Sequence, residues 1–109
     1  MNAWIWLTIA ILFEISATTC LKISDGLSKL APTLLTLIFY TISFSSLAIS
    51  LKALEIGIVY AIWSGVGTAV ITLIGIIYFG ESISVIKISS IFLIILGVVG
   101  LNLTESPHL

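Results

Sequence analysis

The sequence predicts an all-α membrane protein: four transmembrane helices in a single domain spanning residues 1–109. Three observations predict it. Apolar residues make up 60% of the chain and charged residues only 8%, about a third of what a soluble surface carries. A globule of this size could not cover its high surface-to-volume ratio with so few polar groups. The charges are also spaced in a particular way. Uncharged blocks of 22, 25 and 17 residues separate Lys29 from Lys52, Glu55 from Glu81 and Lys87 from Glu105. A spanning helix needs about 20 mostly apolar residues.

The first block, Ala3 to Leu21, is apolar apart from Glu14. It has no Lys or Arg ahead of it and an acid within it, which distinguishes it from a cleaved signal peptide and makes it a permanent helix over 3–21. Ser24-Asp25-Gly26 supplies the first turn, and Pro32 is placed to begin a second helix over 33–52. Lys52 to Gly57 forms a tight second loop before a third helix over 57–79. Gly80-Glu81-Ser82 forms the third loop, and a fourth helix covers 86–103. The tail from Glu105 to Leu109 reads as frayed. The blocks lack the alternation of a membrane β-barrel, and hydrocarbon leaves no backbone group unpaired, so helices are the economical reading.

Composition also excludes function classes. Four lysines, no arginine and a net charge of −1 do not make a nucleic-acid binder. The single cysteine, Cys20, excludes an internal disulfide framework and a multi-cysteine metal site. No nucleophile–base pair or metal cluster is visible, so the chain does not read as an enzyme and implies no cofactor.

Glu14 is the one ionisable side chain inside a predicted span, about two-thirds along the first helix. An acid at that depth costs a few kcal/mol on insertion scales and is a functional-site candidate by default. The functional reading is a proton or cation site; the alternative is a buried acid that hydrogen-bonds helices together. Ala10 and Thr18 stand one turn away on the same face with Ala17 between them in angle, so small residues flank the carboxyl group.

The third helix carries Tyr60, Trp63 and Gly67 on one face; the first adds Trp4 and the second Tyr40 and Phe44. Aromatic faces attract cations, more strongly where water is excluded. Interfacial anchoring is the competing reading, evenly matched for Trp4 and Trp6 but weaker for Trp63, which lies among small residues inside its span. Gly65 and Gly67 suit a hinge in the third helix, although Ala61, Gly65 and Ala69 equally form a small-residue row for close packing. Ser90, Leu93, Gly97 and Leu101 recur on one face of the fourth helix, a pattern for helix–helix association.

Four thin helices and one acid hardly enclose a substrate path, whereas two chains supply eight helices and two acids. Lys22, Lys29 and Lys87 fall on one side of the predicted topology, against Lys52 and the N-terminal amine on the other. So small a positive-inside bias permits insertion in both orientations. A pair of oppositely inserted copies then makes the inverted repeat that secondary transporters use around a midplane site.

These residues resemble the small multidrug resistance family, in register over nearly the whole chain. The likeness covers Glu14 with Ala10 and Thr18, Lys22, Ser24-Asp25-Gly26, Pro32, Tyr40, Ser43-Phe44, Leu47 and, most specifically, the run Tyr60 to Gly67, YAIWSGVG. The resemblance implies a proton-coupled exporter in the bacterial inner membrane, working as an antiparallel, dual-topology homodimer. It implies that paired Glu14 residues bind protons or a cation in mutually exclusive fashion, that Tyr40, Tyr60 and Trp63 line the site, and that the fourth helices hold the dimer. Ala17 stands where guanidinium exporters of the family carry Trp, so the resemblance points to the quaternary-ammonium branch and to lipophilic cations. Export of guanidinium or a polyamine, one half of a paired heterodimer, and a small pore-forming or assembly protein are the alternatives. Four positions depart from the multidrug pattern: Trp4 for Tyr, Ala17 for Gly, Glu55 for Pro and Ser90 for Gly.

Overall fold

A computed structural model describes residues 2–104; the terminal segment expected to fray lies outside them. It contains four helices, α1 (Ala3–Ile23), α2 (Leu30–Ser50), α3 (Ile56–Tyr78) and α4 (Val85–Thr104), each long and apolar enough to cross a membrane. The described residues form two compact helix pairs, α1 with α2 and α3 with α4.

In the first pair, Asn2 caps α1, its Oδ1 accepting from the Trp4 N–H at 3.0 Å. This satisfies one of the donors a helix start leaves open. The helix runs two residues beyond the expected end and stops at Ser24, around which the first turn is built. Ser24 is fully buried. Its hydroxyl donates to the Leu21 carbonyl at 2.6 Å and accepts from the Leu27 N–H at 3.0 Å. Its carbonyl takes the N–H groups of Ser28 and Lys29. Held in this way, Asp25, Gly26 and Leu27 adopt positive φ in succession, at 51°, 71° and 69°. Pro32 does not begin α2, as its placement predicts. It is the third residue, still in the first turn, where no N–H is needed to close a helical bond.

The buried residues of α1 are all apolar: Ala3, Leu7, Ala10, Ile11, Ile15 and Ala17. Those of α2 all carry hydroxyls: Thr36, Ser43, Ser46 and Ser50. That asymmetry follows from the solvent. Lipid gives no hydrophobic drive for two helices to meet, so close approach of small residues and interhelical hydrogen bonds take over. Phe13 and Phe39 add a tilted ring contact at 5.6 Å.

In the second pair, α3 runs unbroken through Gly65 and Gly67. A Cβ at Gly65 would collide with the Val98 side chain and crowd Ile94, so α4 passes directly over this glycine. After α3, Gly80 takes φ 66° and the Glu81 N–H turns back to the Gly75 carbonyl at 3.0 Å. Glu81 lays its carboxylate over Gly75, where a Cβ would meet it. Ser84 then starts α4, its hydroxyl accepting from the Lys87 N–H at 3.0 Å, while Lys87 Nζ donates to the Ser82 carbonyl. No residue of α4 is buried.

Candidate functional site

α1 presents Glu14 at mid-helix, half-buried. One helical turn on, the Thr18 hydroxyl donates to Glu14 Oε2 at 2.7 Å. The same hydroxyl lies 2.7 Å from Tyr40 Oη on α2. A threonine hydroxyl has one proton, so with an ionised Glu14 it donates to the carboxylate and accepts from the tyrosine. The result is a chain of three side chains ending on one carboxylate oxygen. Oε1 takes no hydrogen bond among the described residues.

α2 grips the backbone on either side of this chain. Ser43 Oγ donates to the Ala10 carbonyl at 2.7 Å, and Thr36 Oγ1 reaches the Ala17 carbonyl at 3.4 Å besides its own helix at Pro32. Thr36, Tyr40 and Ser43 are spaced four and three residues apart and so share one face. Ala10 and Ala17 are both 0% exposed. Their small side chains admit α2 closely enough for its hydroxyls to reach α1's carbonyls. Phe44 stacks on Tyr40, with ring centroids 5.7 Å apart and planes 10° from parallel. An aromatic surface therefore adjoins the hydroxyl chain.

The structure thus brings together Glu14, Thr18, Tyr40, Phe44, Ala10 and Ala17 within the first helix pair. Trp4 stands apart in the first turn of α1, ten residues before Glu14 and 37% exposed. The second pair holds Tyr60 and Trp63 edge to face, with centroids 5.9 Å apart and an interplanar angle of 71°. Tyr60 is 62% exposed. Ser90, Leu93, Gly97 and Leu101 are all exposed on α4, and Ile94, which lies against Gly65, stands one turn from both Ser90 and Gly97. Among the described residues there is no group of three or more His, Cys, Asp or Glu side chains suited to a metal ion.

Two contributors escape the sequence reading. Ser43 figures there only as part of a family-like dipeptide, and Thr36 not at all. Their signal is the hydroxyl row at 36, 40, 43, 46 and 50 along α2, which recurs at helical spacing on one stripe of the helix.

A family model described as Small Multidrug Resistance protein matches residues 2–94. The chain is 47% identical over 102 residues to the Bacillus subtilis protein named uncharacterized membrane protein YvaE, covering 94% of this chain and 86% of that protein. It is 44% identical to multidrug resistance protein mmr of Mycolicibacterium paratuberculosis, over 93% of this chain and 95% of the relative. To quaternary ammonium compound-resistance protein QacE of Escherichia coli it is 42% identical, over 94% of both chains. With the four apolar helices and the mid-span carboxyl group already described, these matches show that the chain belongs to the small multidrug resistance family.

Proposed function

We propose that this multi-pass protein of the bacterial inner membrane exports lipophilic, often aromatic or quaternary-ammonium cations in exchange for protons, using Glu14 as the shared site. Multidrug efflux is the coarser statement, and it rests on the family and on relatives named for multidrug and quaternary ammonium resistance. The proton and cation chemistry rests on one observation above all. A carboxyl group sits midway along a membrane span with one oxygen held by Thr18 and the other open.

The working unit in this reading is an antiparallel homodimer, which places two copies of Glu14 near the bilayer midplane. The exposed row Ser90, Leu93, Gly97 and Leu101 on α4 supplies a surface for the second copy, with Ser90 and Gly97 small enough for close approach. Protonated Glu14 releases its proton inward, and the freed carboxylate takes up a cation. The loaded dimer exchanges its facing, and a proton from outside displaces the cation. Gly65 and Gly67 provide the hinge for that exchange. Tyr40, Phe44, Tyr60, Trp63 and Trp4 offer aromatic faces, and Ala10, Ala17 and Thr18 border the carboxylate. Such faces bind by shape-tolerant cation–π attraction, which suits many substrates better than a fixed hydrogen-bond grid.

The test is Glu14→Gln in proteoliposomes. The wild-type chain alone concentrates a quaternary ammonium compound against a pH gradient, and the variant neither concentrates it nor binds it. A variant that still concentrates the cation overturns the reading. Flux that neither saturates nor needs a gradient identifies a pore instead, and a wild-type chain inactive until a second subunit is added identifies a heterodimer.

A further inference from the structure

We infer that Tyr40 and Thr18 act on the transported cation through Glu14, as a one-way hydroxyl relay that orients the charged carboxylate and turns Oε1 toward the ligand. The inference deepens the reading of Glu14 as the cation site and rests on it.

The geometry carries the argument. Two O···O separations of 2.7 Å link Tyr40 to Thr18 and Thr18 to Glu14. Both are at the centre of the range for O–H···O hydrogen bonds. A carboxylate can only accept, so Thr18 commits its single proton to Oε2 and its lone pairs to the Tyr40 hydroxyl. Each bond in such a chain polarises the next, and a bond ending on an ionised group is roughly twice as strong as a neutral one. The chain is therefore strongest and its direction unique when Glu14 is charged, which is the state a cation meets. When a proton sits on Oε2 the donor order can reverse, and the constraint on the carboxyl group relaxes.

Hydroxyls are the only side-chain hydrogen-bonding groups that α2 carries. Leu30 to Ser50 contains no Asp, Glu, Lys or Arg, and Tyr40 is its one titratable side chain. Ser43 donates to the Ala10 carbonyl of α1, and Thr36 to the Pro32 carbonyl of its own helix at 2.8 Å with the Ala17 carbonyl at 3.4 Å, so both hydroxyls are taken up by backbone on either side of the relay. The Tyr40 ring, stacked on Phe44, is held by a contact that does not involve its hydroxyl. Ring and hydroxyl are thus separable: the ring belongs to the aromatic surface, and the hydroxyl is a positioning group.

The experiment compares Tyr40→Phe, Thr18→Val, their double variant and Thr18→Ser, with Glu14→Gln as reference. Tetrapropylammonium affinity is measured by calorimetry, and the Glu14 carboxylate stretch by infrared difference spectroscopy, its band assigned by its loss in Glu14→Gln. Tyr40→Phe and Thr18→Val each shift that band and weaken affinity about three- to tenfold. The double variant loses no more than the worse single variant, because both interrupt one chain. Thr18→Ser restores the band position. An unmoved band in Tyr40→Phe, or losses that multiply in the double variant, overturns the relay while leaving Glu14 as the site. Undiminished binding in Glu14→Gln overturns the site itself.

Discussion

Ser43 Oγ donates across 2.7 Å to the backbone carbonyl of Ala10, the residue one helical turn before Glu14. In an α-helix that carbonyl also accepts the N–H of residue 14. One oxygen therefore joins the turn that carries the acid to the helix that supplies Tyr40, the far end of its hydroxyl chain.

Removing the Ser43 hydroxyl tests how much of the α1–α2 seam depends on it. The Ala10 carbonyl keeps its helical partner in Ser43→Ala, so no buried acceptor is stranded and the loss is about 0.5–1.5 kcal/mol. Ser43→Leu is expected to cost more, about 1–3 kcal/mol, because the position is fully buried and has no room for extra carbons. Detergent-solubilised unfolding curves measure both. Equal stability of the leucine variant and the wild type would show that the helices do not close here.

The charge spacing along the sequence marks out four helices, because an uncharged block of spanning length has few other uses in a chain this poor in polar groups. The observed ends differ by up to three residues. Pro32 shows why: its missing N–H is tolerated throughout a first turn, so a proline marks the start of a helix only to within that turn. Glu14 stands out for the same reason as the helices do, as the one charge inside a predicted span. The hydroxyls that serve it were harder to see. Thr18 reads as a small neighbour until its 2.7 Å contact identifies it as a donor, and Ser43 and Thr36 act on backbone carbonyls, which no side-chain motif records.

Two kinds of cation test the proposed role of Trp63. If its indole face binds substrate, Trp63→Ala weakens an aromatic cation by about 1–2 kcal/mol, roughly five- to thirtyfold. Trp63→Phe, which keeps a weaker aromatic face, falls between. Calorimetry with an aromatic and an aliphatic quaternary ammonium compound measures the difference, and the melting temperature checks the fold. Equal affinity of all three proteins for the aromatic ligand removes Trp63 from the site. The edge-to-face contact with Tyr60 adds a second expectation: Tyr60→Phe retains the ring pair and so preserves stability.

Gly65 distinguishes packing from hinging, because the structure supplies a reason for glycine that has nothing to do with bending. A methyl group added there would run into the Val98 side chain, with Ile94 also close. Gly65→Ala is therefore expected to destabilise the α3–α4 pair by about 1–3 kcal/mol. Shortening the opposing residue relieves the collision, so Gly65→Ala with Val98→Ala should recover most of that loss. Thermal unfolding of the two single variants and the double variant gives the coupling energy. Exchange transport by the double variant then decides what the glycine is for. A double variant that regains both stability and turnover shows that Gly65 serves packing alone. One that regains stability while its turnover stays low shows that α3 must bend at this position, since the methyl group has been accommodated and only backbone freedom is missing.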